Sequence, residues 1–595
     1  MMDPYRMVFV NVITSCLVFG GALFYKYIYP KKRINLFFLL LIISILPIIS
    51  IFRAGDYESG DFNIHIYRIM SFYDSLKEGI LMPSWAAELN ATYGNPLFIF
   101  NYSLPYYVVS FFHLIGFSFI SGMKIYLGLN LYLSGIFMYM WIKKLTNSQL
   151  AAFTAAIFYV FNPYHLIDVH FRATLGETTI FTLIPLLLYF ITLFIQKRKL
   201  IYLPFIGLVS QLLFLAHPMI AGIFIIISAL FAVSIDIKKG IKNIFFVFIA
   251  LAIGVIGSIY SWISFLIYPP YMFQNPIASV FQDTFSGLFY SSWRYGFLFQ
   301  GPKGELAYII GYTQIFAIVI AIFFLFKKNV SKKLIHPYIF WLFIFFTVLF
   351  FMSPYSKMIW ISLPFLSMLQ SNRLLLPIAL CTSVLAGYLA ISFSNTKKRK
   401  MFIYILLFIT IGYTILNWGH RRLIPEINDA ALRKNVWIST VTEGPTAYFL
   451  NNKWADINNF WFSKLPDQHL VIIQGKGDIK EIKRTSTQHN YLINAQTSIV
   501  IKENTLYYPG WNLKSNYNSI SIYPGKRGII NARLPKGLQY IELSYRDLPI
   551  YALTKAISSL SFLSLVLIIL FYYISRSIKN KLLINLFNRF FPSNV

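Results

Sequence analysis

Apolar runs long enough to cross a bilayer recur along almost the whole chain, parted by short connectors rich in lysine and arginine. A helix needs about 20 apolar residues to span the hydrocarbon core. Inside lipid the backbone can satisfy its own hydrogen bonds only as a helix or a closed barrel. Only 12% of the 595 residues are charged, against 57% hydrophobic. That is roughly half the charged share of a soluble domain, about 25%. The runs therefore predict a polytopic α-helical membrane protein.

The net charge of +30 invites a nucleic-acid reading, but the placement of the charges argues against it. Lys31-Lys32-Arg33, Lys143-Lys144, Lys197-Arg198-Lys199, Lys238-Lys239, Lys327-Lys328 and Lys397-Lys398-Arg399-Lys400 all lie in short connectors. Such clusters set membrane orientation and meet anionic lipid headgroups. Membrane lipids are thus the expected partner, and nucleic acid is not. Cys16 and Cys381 both lie in apolar spans and suggest neither a disulfide nor a metal site. The N-terminal run has no small-residue cleavage site and reads as a retained helix.

Crossings are expected near 7–29, 34–52, 122–141, 148–161, 177–196, 200–216, 218–236, 243–266, 307–326, 337–352, 373–394, 401–418 and 551–574. That makes about thirteen transmembrane helices. The stretch 106–119 is read as a re-entrant or surface-lying helix, because only then do the basic connectors fall on one side. Residues 1–418 then form a transmembrane domain with a long outer loop over 53–120. Residues 419–550 are polar and, in their second half, alternate apolar and polar residues between Pro-Gly and Lys-Gly turns. They predict an extracytoplasmic β-rich domain. Residues 551–595 supply the last crossing and a basic cytoplasmic tail from Arg576.

The ionisable residues outside the connectors gather on one predicted side. The first outer loop carries Asp56, Asp61, His65 and Arg68. The last three share a helical face, since i, i+4 and i+7 coincide. The second outer loop reads NPYHLIDVHFRATLGE and holds Asp168, His170, Arg172 and Glu177. His217 marks a corner before Pro218, Arg294 lies in a later loop, and Gln370 and Arg373 open another span. Ionisable groups beside a membrane core are costly and tend to be functional. Arginines suit phosphate oxygens, a carboxylate can take a proton from an attacking hydroxyl, and aromatic rings such as Tyr106 can stack on sugars. No nucleotide-binding motif is present, which favours a lipid-linked donor. The plain alternatives are an i, i+4 helix staple for Asp168–Arg172, a helix cap for His217, and an aromatic belt for the tyrosines.

The runs GDFNIHIYRI, PSWAAELNATYGNPLFIFNYSLPYYV, PYHLIDVHFRATLGE, FLAHPM and LQSNRLLLPIALCTSVLAG resemble the bacterial 6-pyruvoyl-tetrahydropterin-synthase-related membrane proteins. YYPGWN, ahead of the last span, resembles the C-terminal region of the similar YfhO-like family. Both families resemble GT-C glycosyltransferases. That resemblance implies a polyprenyl-phosphate sugar donor, an extracytoplasmic site in a bacterial cytoplasmic membrane, and a first-loop aspartate as catalytic base. It carries over onto Asp61, with Asp56 as the competing candidate. His65, Arg68, Tyr106, Asp168, His170, Arg172, Glu177, His217, Gln370 and Arg373 are the expected substrate-binding residues. No cofactor is expected with certainty. Some GT-C enzymes hold a divalent metal, which this chain leaves open because it has no clear Asp-x-Asp.

The reading that follows is transfer of a sugar from the lipid donor to a cell-envelope acceptor: a glycan, a teichoic acid or a glycolipid. The alternatives are a transporter or flippase of lipid-linked saccharides, and a non-catalytic envelope-assembly scaffold. A transporter would need broken helices and acids at mid-membrane, ideally in repeated halves, and no repeat is visible.

Overall fold

The computed structural model describes residues 4–236, 241–272, 285–291, 307–326, 332–363, 369–392, 396–419, 423–434, 453–455, 462 and 464–577. Arg294, most of its loop and the basic tail beyond 577 lie outside the described residues.

Among the described residues, eight helices are long and apolar enough to cross a membrane, or nine if the bent pair Gln149–Val160 and Pro163–Arg172 is one span. The expected thirteen is not reached on this criterion. The remaining expected crossings fall on shorter helices, Leu36–Phe52, Tyr202–Ala216, Ile241–Gly257 and Tyr312–Phe326. A 15-residue helix such as Tyr202–Ala216 is about 22 Å long, short of a ~30 Å core. Local chemistry explains two of the breaks. Pro47 cannot donate a backbone bond, and the chain tightens there from an α-helix to a 3₁₀ helix over Leu46–Phe52. After Gly257 the chain breaks into the single turns Ile259–Trp262 and Ser264–Ile267. Leu104–Leu114, at 11 residues, is only about 16 Å long and too short to cross.

The bundle is knit around Phe119–Thr146, which is buried on most of its surface, and around Gln149–Val160, Leu175–Lys197 and Leu375–Ser392, which are buried nearly all round. The N-terminal helix Pro4–Ile28 and the last helix Pro549–Ser577 instead leave most of their apolar surface outside the protein. A helix that is apolar all round yet unburied by protein is what lipid contact allows.

Two short strands tie the first loop to the segment after the main bundle: β1 (Asp56–Tyr57) pairs antiparallel with β2 (Leu423–Ile424). Among the described residues nine further strands follow. They are β3 (Leu470–Gln474), β4 (Gly477–Arg484), β5 (Gln488–Ala495), β6 (Ile499–Leu506), β7 (Trp511–Ser515), β8 (Asn518–Ile520), β9 (Ile522–Pro524), β10 (Ile529–Leu534) and β11 (Gly537–Tyr545). One sheet runs β3-β6-β10-β9 and the other β4-β5-β11-β7-β8. Alternate residues such as Ile493, Ile501, Leu513, Ala532 and Ile541 form their common core, as period-two patterning demands.

The second half of the first loop packs against this β unit. Trp85 lies edge-on to Trp511 at 5.3 Å and near Tyr545 at 5.5 Å. Leu506 N–H donates to the Tyr93 carbonyl at 2.8 Å. Lys555, from the last helix, donates to the Met82 carbonyl and Ser84, and pairs with Asp547, each at 2.6 Å. Asn90, Ala91 and Thr92 all take left-handed backbone (φ 55°, 53° and 69°), a conformation L-residues adopt only when their surroundings impose it. Gly94 completes the turn at φ +75°, with the Trp85 ring so near that a Cβ would meet it at 2.4 Å. The loop is therefore held from both sides, by the bundle and by the sheets.

Candidate functional site

The first loop reaches the second through its backbone. Gly60 N–H donates to the Phe171 carbonyl at 2.8 Å and Asp61 N–H to the Arg172 carbonyl at 2.7 Å. The Tyr57 hydroxyl donates to the Val169 carbonyl at 2.9 Å. Asp61 sits at the N-cap of the helix Phe62–Lys77, whose buried side includes His65 and Arg68.

The second loop is unusual in itself. Asn162 caps the short helix Pro163–Ile167, accepting from Tyr164 N–H at 3.0 Å. The chain then widens into a π turn over Asp168–Arg172, closed by Ala173 at φ +57°. π turns and left-handed non-glycine residues cluster at functional sites. Here they deliver Arg172 against the next helix, Leu175–Lys197, whose first turn carries Glu177.

Arg172 is fully engaged. Its Nη1 lies 2.7 Å from Asp168 Oδ1, 3.0 Å from the Tyr164 hydroxyl and 3.2 Å from Glu177 Oε2, while Nη2 lies 3.0 Å from Glu177 Oε1. The Tyr164 hydroxyl also donates to Glu177, and the Tyr308 ring lies 5.8 Å from the guanidinium carbon. Arg373 enters from the turn Ser371–Leu374 and places Nε 3.2 Å from Glu177 Oε1. Close as it is, that Nε completes no hydrogen bond among the described residues. His217, at the break between Tyr202–Ala216 and Pro218–Asp236, lies within electrostatic range of Glu177, Arg172 and Arg373.

Asp61 joins this cluster electrostatically. Burial pushes its carboxyl above the ordinary value, while Arg172, Arg68 and Arg373 pull it back and Glu177 adds to the rise. Three carboxylates (Asp61, Asp168, Glu177) thus face three guanidiniums (Arg68, Arg172, Arg373). The balance spares the site an uncompensated buried charge. His65 contacts two tyrosines, with Nδ1 3.2 Å from the Tyr106 hydroxyl and Nε2 3.0 Å from the Tyr102 hydroxyl. The Tyr102 ring continues to His217, 5.7 Å away. Gly176 makes room: a Cβ there would meet the Ala216 carbonyl at 2.6 Å and Tyr102 at 3.1 Å.

Not every expected residue arrives. His170 is buried beside Arg53, His165 and the Pro47 backbone, apart from Arg68, Arg172 and Arg373. It stands two residues from Asp168, about half a helical turn round, so it faces the opposite side. Gln370 contributes its backbone carbonyl, which accepts from Arg373 N–H at 3.0 Å. Asp56 is held elsewhere: its carboxyl accepts from Tyr57 N–H at 2.6 Å, and burial raises it to about 6 despite that bond and the charge of Lys124. Lys124 Nζ in turn donates to the Arg53 and Gly55 carbonyls. Asp56 therefore serves the β1–β2 junction, and Asp61 is the first-loop acid that faces the arginines. Among the described residues no group of three or more His, Cys, Asp or Glu side chains is placed to hold a metal ion.

Tyr164, Tyr308 and Asn101 belong to the site but carry no signal in the sequence beyond their closeness to charged residues. Their roles arise from contacts across the fold.

The comparisons agree with this architecture. The family model described as the 6-pyruvoyl-tetrahydropterin synthase related domain, a membrane protein, matches residues 99–420, more than half of the chain and all of the second loop, the His217 corner and Arg373. An uncharacterised protein of Lactococcus lactis subsp. cremoris (strain MG1363) is 23% identical over 317 residues, which is 51% of this chain and 51% of the relative. The chain thus spans about half the length of the curated relative it matches. With its apolar helices and matched core, the chain belongs to the 6-pyruvoyl-tetrahydropterin synthase related family of membrane proteins.

Proposed function

We propose that this protein is a membrane glycosyltransferase of the GT-C type, moving a sugar from a polyprenyl-phosphate donor to a hydroxyl of a cell-envelope acceptor. The site would face outward from a bacterial cytoplasmic membrane. One observation carries the reading: the first-loop carboxylate, Asp61, lies in the field of three arginines contributed by three separate segments. An acid beside phosphate-binding cations is what in-line displacement at a sugar phosphate requires.

In the step, the acceptor hydroxyl gives its proton to Asp61 as its oxygen bonds to the anomeric carbon. The bond from that carbon to the phosphate oxygen breaks, and its electron pair stays on the phosphate. The sugar is inverted. Asp61 loses one negative charge as the departing phosphate gains one, so the balanced site keeps its net charge throughout. Arg373, whose Nε completes no hydrogen bond among the described residues, takes the phosphate oxygens, and Arg172, held by Asp168 and Glu177, adds positive charge beside them. The carboxyl's raised proton affinity brings it toward the operating pH of a general base.

The test is sugar transfer by the purified full-length protein, supplied with a polyprenyl-phosphate sugar and envelope acceptors. Asp61→Asn should lose about 10²- to 10⁴-fold in turnover while melting and binding the donor as the parent does. Transfer that survives the substitution would remove Asp61 as base. Saccharide movement across vesicles without transfer would favour a transporter, and an absence of both would leave a scaffold.

A further inference from the structure

We infer that the Tyr102 hydroxyl is a hydrogen-bond donor to an anionic phosphate oxygen of the bound lipid-linked donor, aimed by a one-way chain of hydrogen bonds through Asn101, Tyr106 and His65. The inference rests on the proposed transferase reading for the identity of the ligand, but its geometry stands on the protein alone.

The direction starts at a backbone amide, which can only donate. Tyr102 N–H lies 3.0 Å from Asn101 Oδ1, so that end of the side-chain amide is the oxygen. The other end, Nδ2, must then donate to the Tyr106 hydroxyl oxygen, 2.7 Å away. Arg68 stands near the same oxygen, but a guanidinium has no acceptor to offer the Tyr106 proton. Among the described residues the acceptor within reach of that proton is His65 Nδ1, 3.2 Å away.

A neutral imidazole carries one proton, and an accepting Nδ1 places it on Nε2. His65 is kept neutral by burial and by the charges of Arg68 and Arg172. Nε2–H therefore donates to the Tyr102 oxygen at 3.0 Å. The Tyr102 proton is thereby turned away from His65, and no acceptor among the described residues takes it. The hydroxyl stands in the field of Asp61, Arg68 and Arg373, next to His217. Tyr102 O–H and Arg373 Nε, which completes no hydrogen bond among the described residues, stand in one electrostatic field, and together they call for an anionic oxygen. Tyr102 would touch substrate; Asn101, Tyr106 and His65 are positioning residues.

Reversing the chain tests it. Asn101→Asp puts a carboxylate where the amide was, able to accept from both Tyr102 N–H and Tyr106 O–H. The Tyr106 proton then leaves His65, the imidazole takes the Nδ1–H tautomer, and the Tyr102 proton is drawn back to Nε2. Binding of farnesyl phosphate to the full-length protein in detergent should fall about ten-fold or more in Tyr102→Phe, the loss expected for a hydrogen bond to a charged group. Asn101→Asp should fall equally, although it keeps every hydroxyl, and the double variant should fall no further. Histidine-selective nitrogen-15 NMR, assigned by the signal missing in His65→Gln, should give Nε2–H in the parent and Nδ1–H in Asn101→Asp. Parent-like binding by Tyr102→Phe, or Nδ1–H in the parent, overturns the inference. A parent that does not bind farnesyl phosphate defeats the transferase reading instead, while the tautomer still judges the hydrogen-bond chain. Should Asn101→Asp fail to fold, Tyr102→Phe and the parent tautomer decide.

Discussion

Glu177 in the helical bundle and Glu503 in the β unit are each buried beside an arginine, a tyrosine and a histidine. In the β unit the arginine, the histidine and the tyrosine all converge on one oxygen of the acid, while Glu503 Oε2 has no hydrogen-bond partner among the described residues. Glu503 Oε1 accepts from Arg484 Nη1 at 2.7 Å, from His489 Nδ1 at 2.9 Å and from the Tyr491 hydroxyl at 2.9 Å. The other Arg484 terminal nitrogen donates to Thr505 at 3.2 Å. Burial alone would raise the Glu503 carboxyl, yet His489 and Arg484 hold it well below the usual range. Around Glu177 donors are left over: Arg373 Nε completes no hydrogen bond among the described residues and Tyr102 keeps its proton, while Asp61 has a carboxyl that only charges, not hydrogen bonds to arginine, reach. A buried ion pair is thus no sign of function by itself. Unspent donors beside one are the better sign.

The contrast can be broken most forcefully in the β unit. Glu503→Ala leaves Arg484 buried without its carboxylate and should cost roughly 3–5 kcal/mol of stability, read as a lower melting temperature. Turnover by the protein that remains folded should not change. A loss of turnover below the melting transition would make Glu503 part of the site and erase the distinction.

Arg373→Ala should do the reverse. It should weaken binding of a polyprenyl-phosphate donor by about ten-fold or more, since a charge-assisted bond is worth ~1.5–3 kcal/mol, with Arg172 still pairing Glu177 to keep the fold. Isothermal titration together with a melting curve separates the two effects; equal donor affinity would show that Arg373 is only a staple.

Acidity sharpens the comparison further. Asp61 must be ionised to accept a proton, and its carboxyl is raised by burial. Turnover should therefore fall as pH drops through a value above the ordinary aspartate range, and a pH–rate profile flat through that range would contradict Asp61 as base.

The smallest effect lies at the rim. Glu88 is pushed up to about 7 by burial and by Asp74, against the pull of Arg433, which pairs with both acids. A carboxyl with a raised folded-state value holds more protons folded than unfolded between its ordinary 4.5 and about 7. Stability from this group is therefore complete at low pH and is lost as pH rises through that window. Glu88→Gln should raise the melting temperature slightly at pH 8 and leave it unchanged at pH 4; the effect is small because the side chain is half exposed. A shift of opposite sign would mean that Arg433 needs the charge.

Several features were legible because they are local. The spacing of Asp61, His65 and Arg68 predicts one helical face, and the helix Phe62–Lys77 provides it with Asp61 as its cap. Asp168 and Arg172, four apart, meet at 2.7 Å, though through a π turn that no periodicity announces. The alternation over 518–545 predicts strands, and β8 to β11 occupy it. His170 was misplaced because its neighbours in sequence are not its neighbours across the turn. The expected thirteen crossings depended on hydropathy windows, which see composition but not where Pro47 or the break after Gly257 interrupts a helix.

Apolar period, charge placement and turn residues are properties of neighbours along the chain, so the sequence by itself determined a helical membrane protein with a β-rich segment before its last helix. Which carboxylate would face which guanidinium was decided only when distant segments came together. Arg373 reaches Glu177 across the bundle, and His65 is hydrogen-bonded to Tyr102 and Tyr106. Buried charges and polar groups must find partners wherever the fold offers them, and no one-dimensional pattern records that meeting.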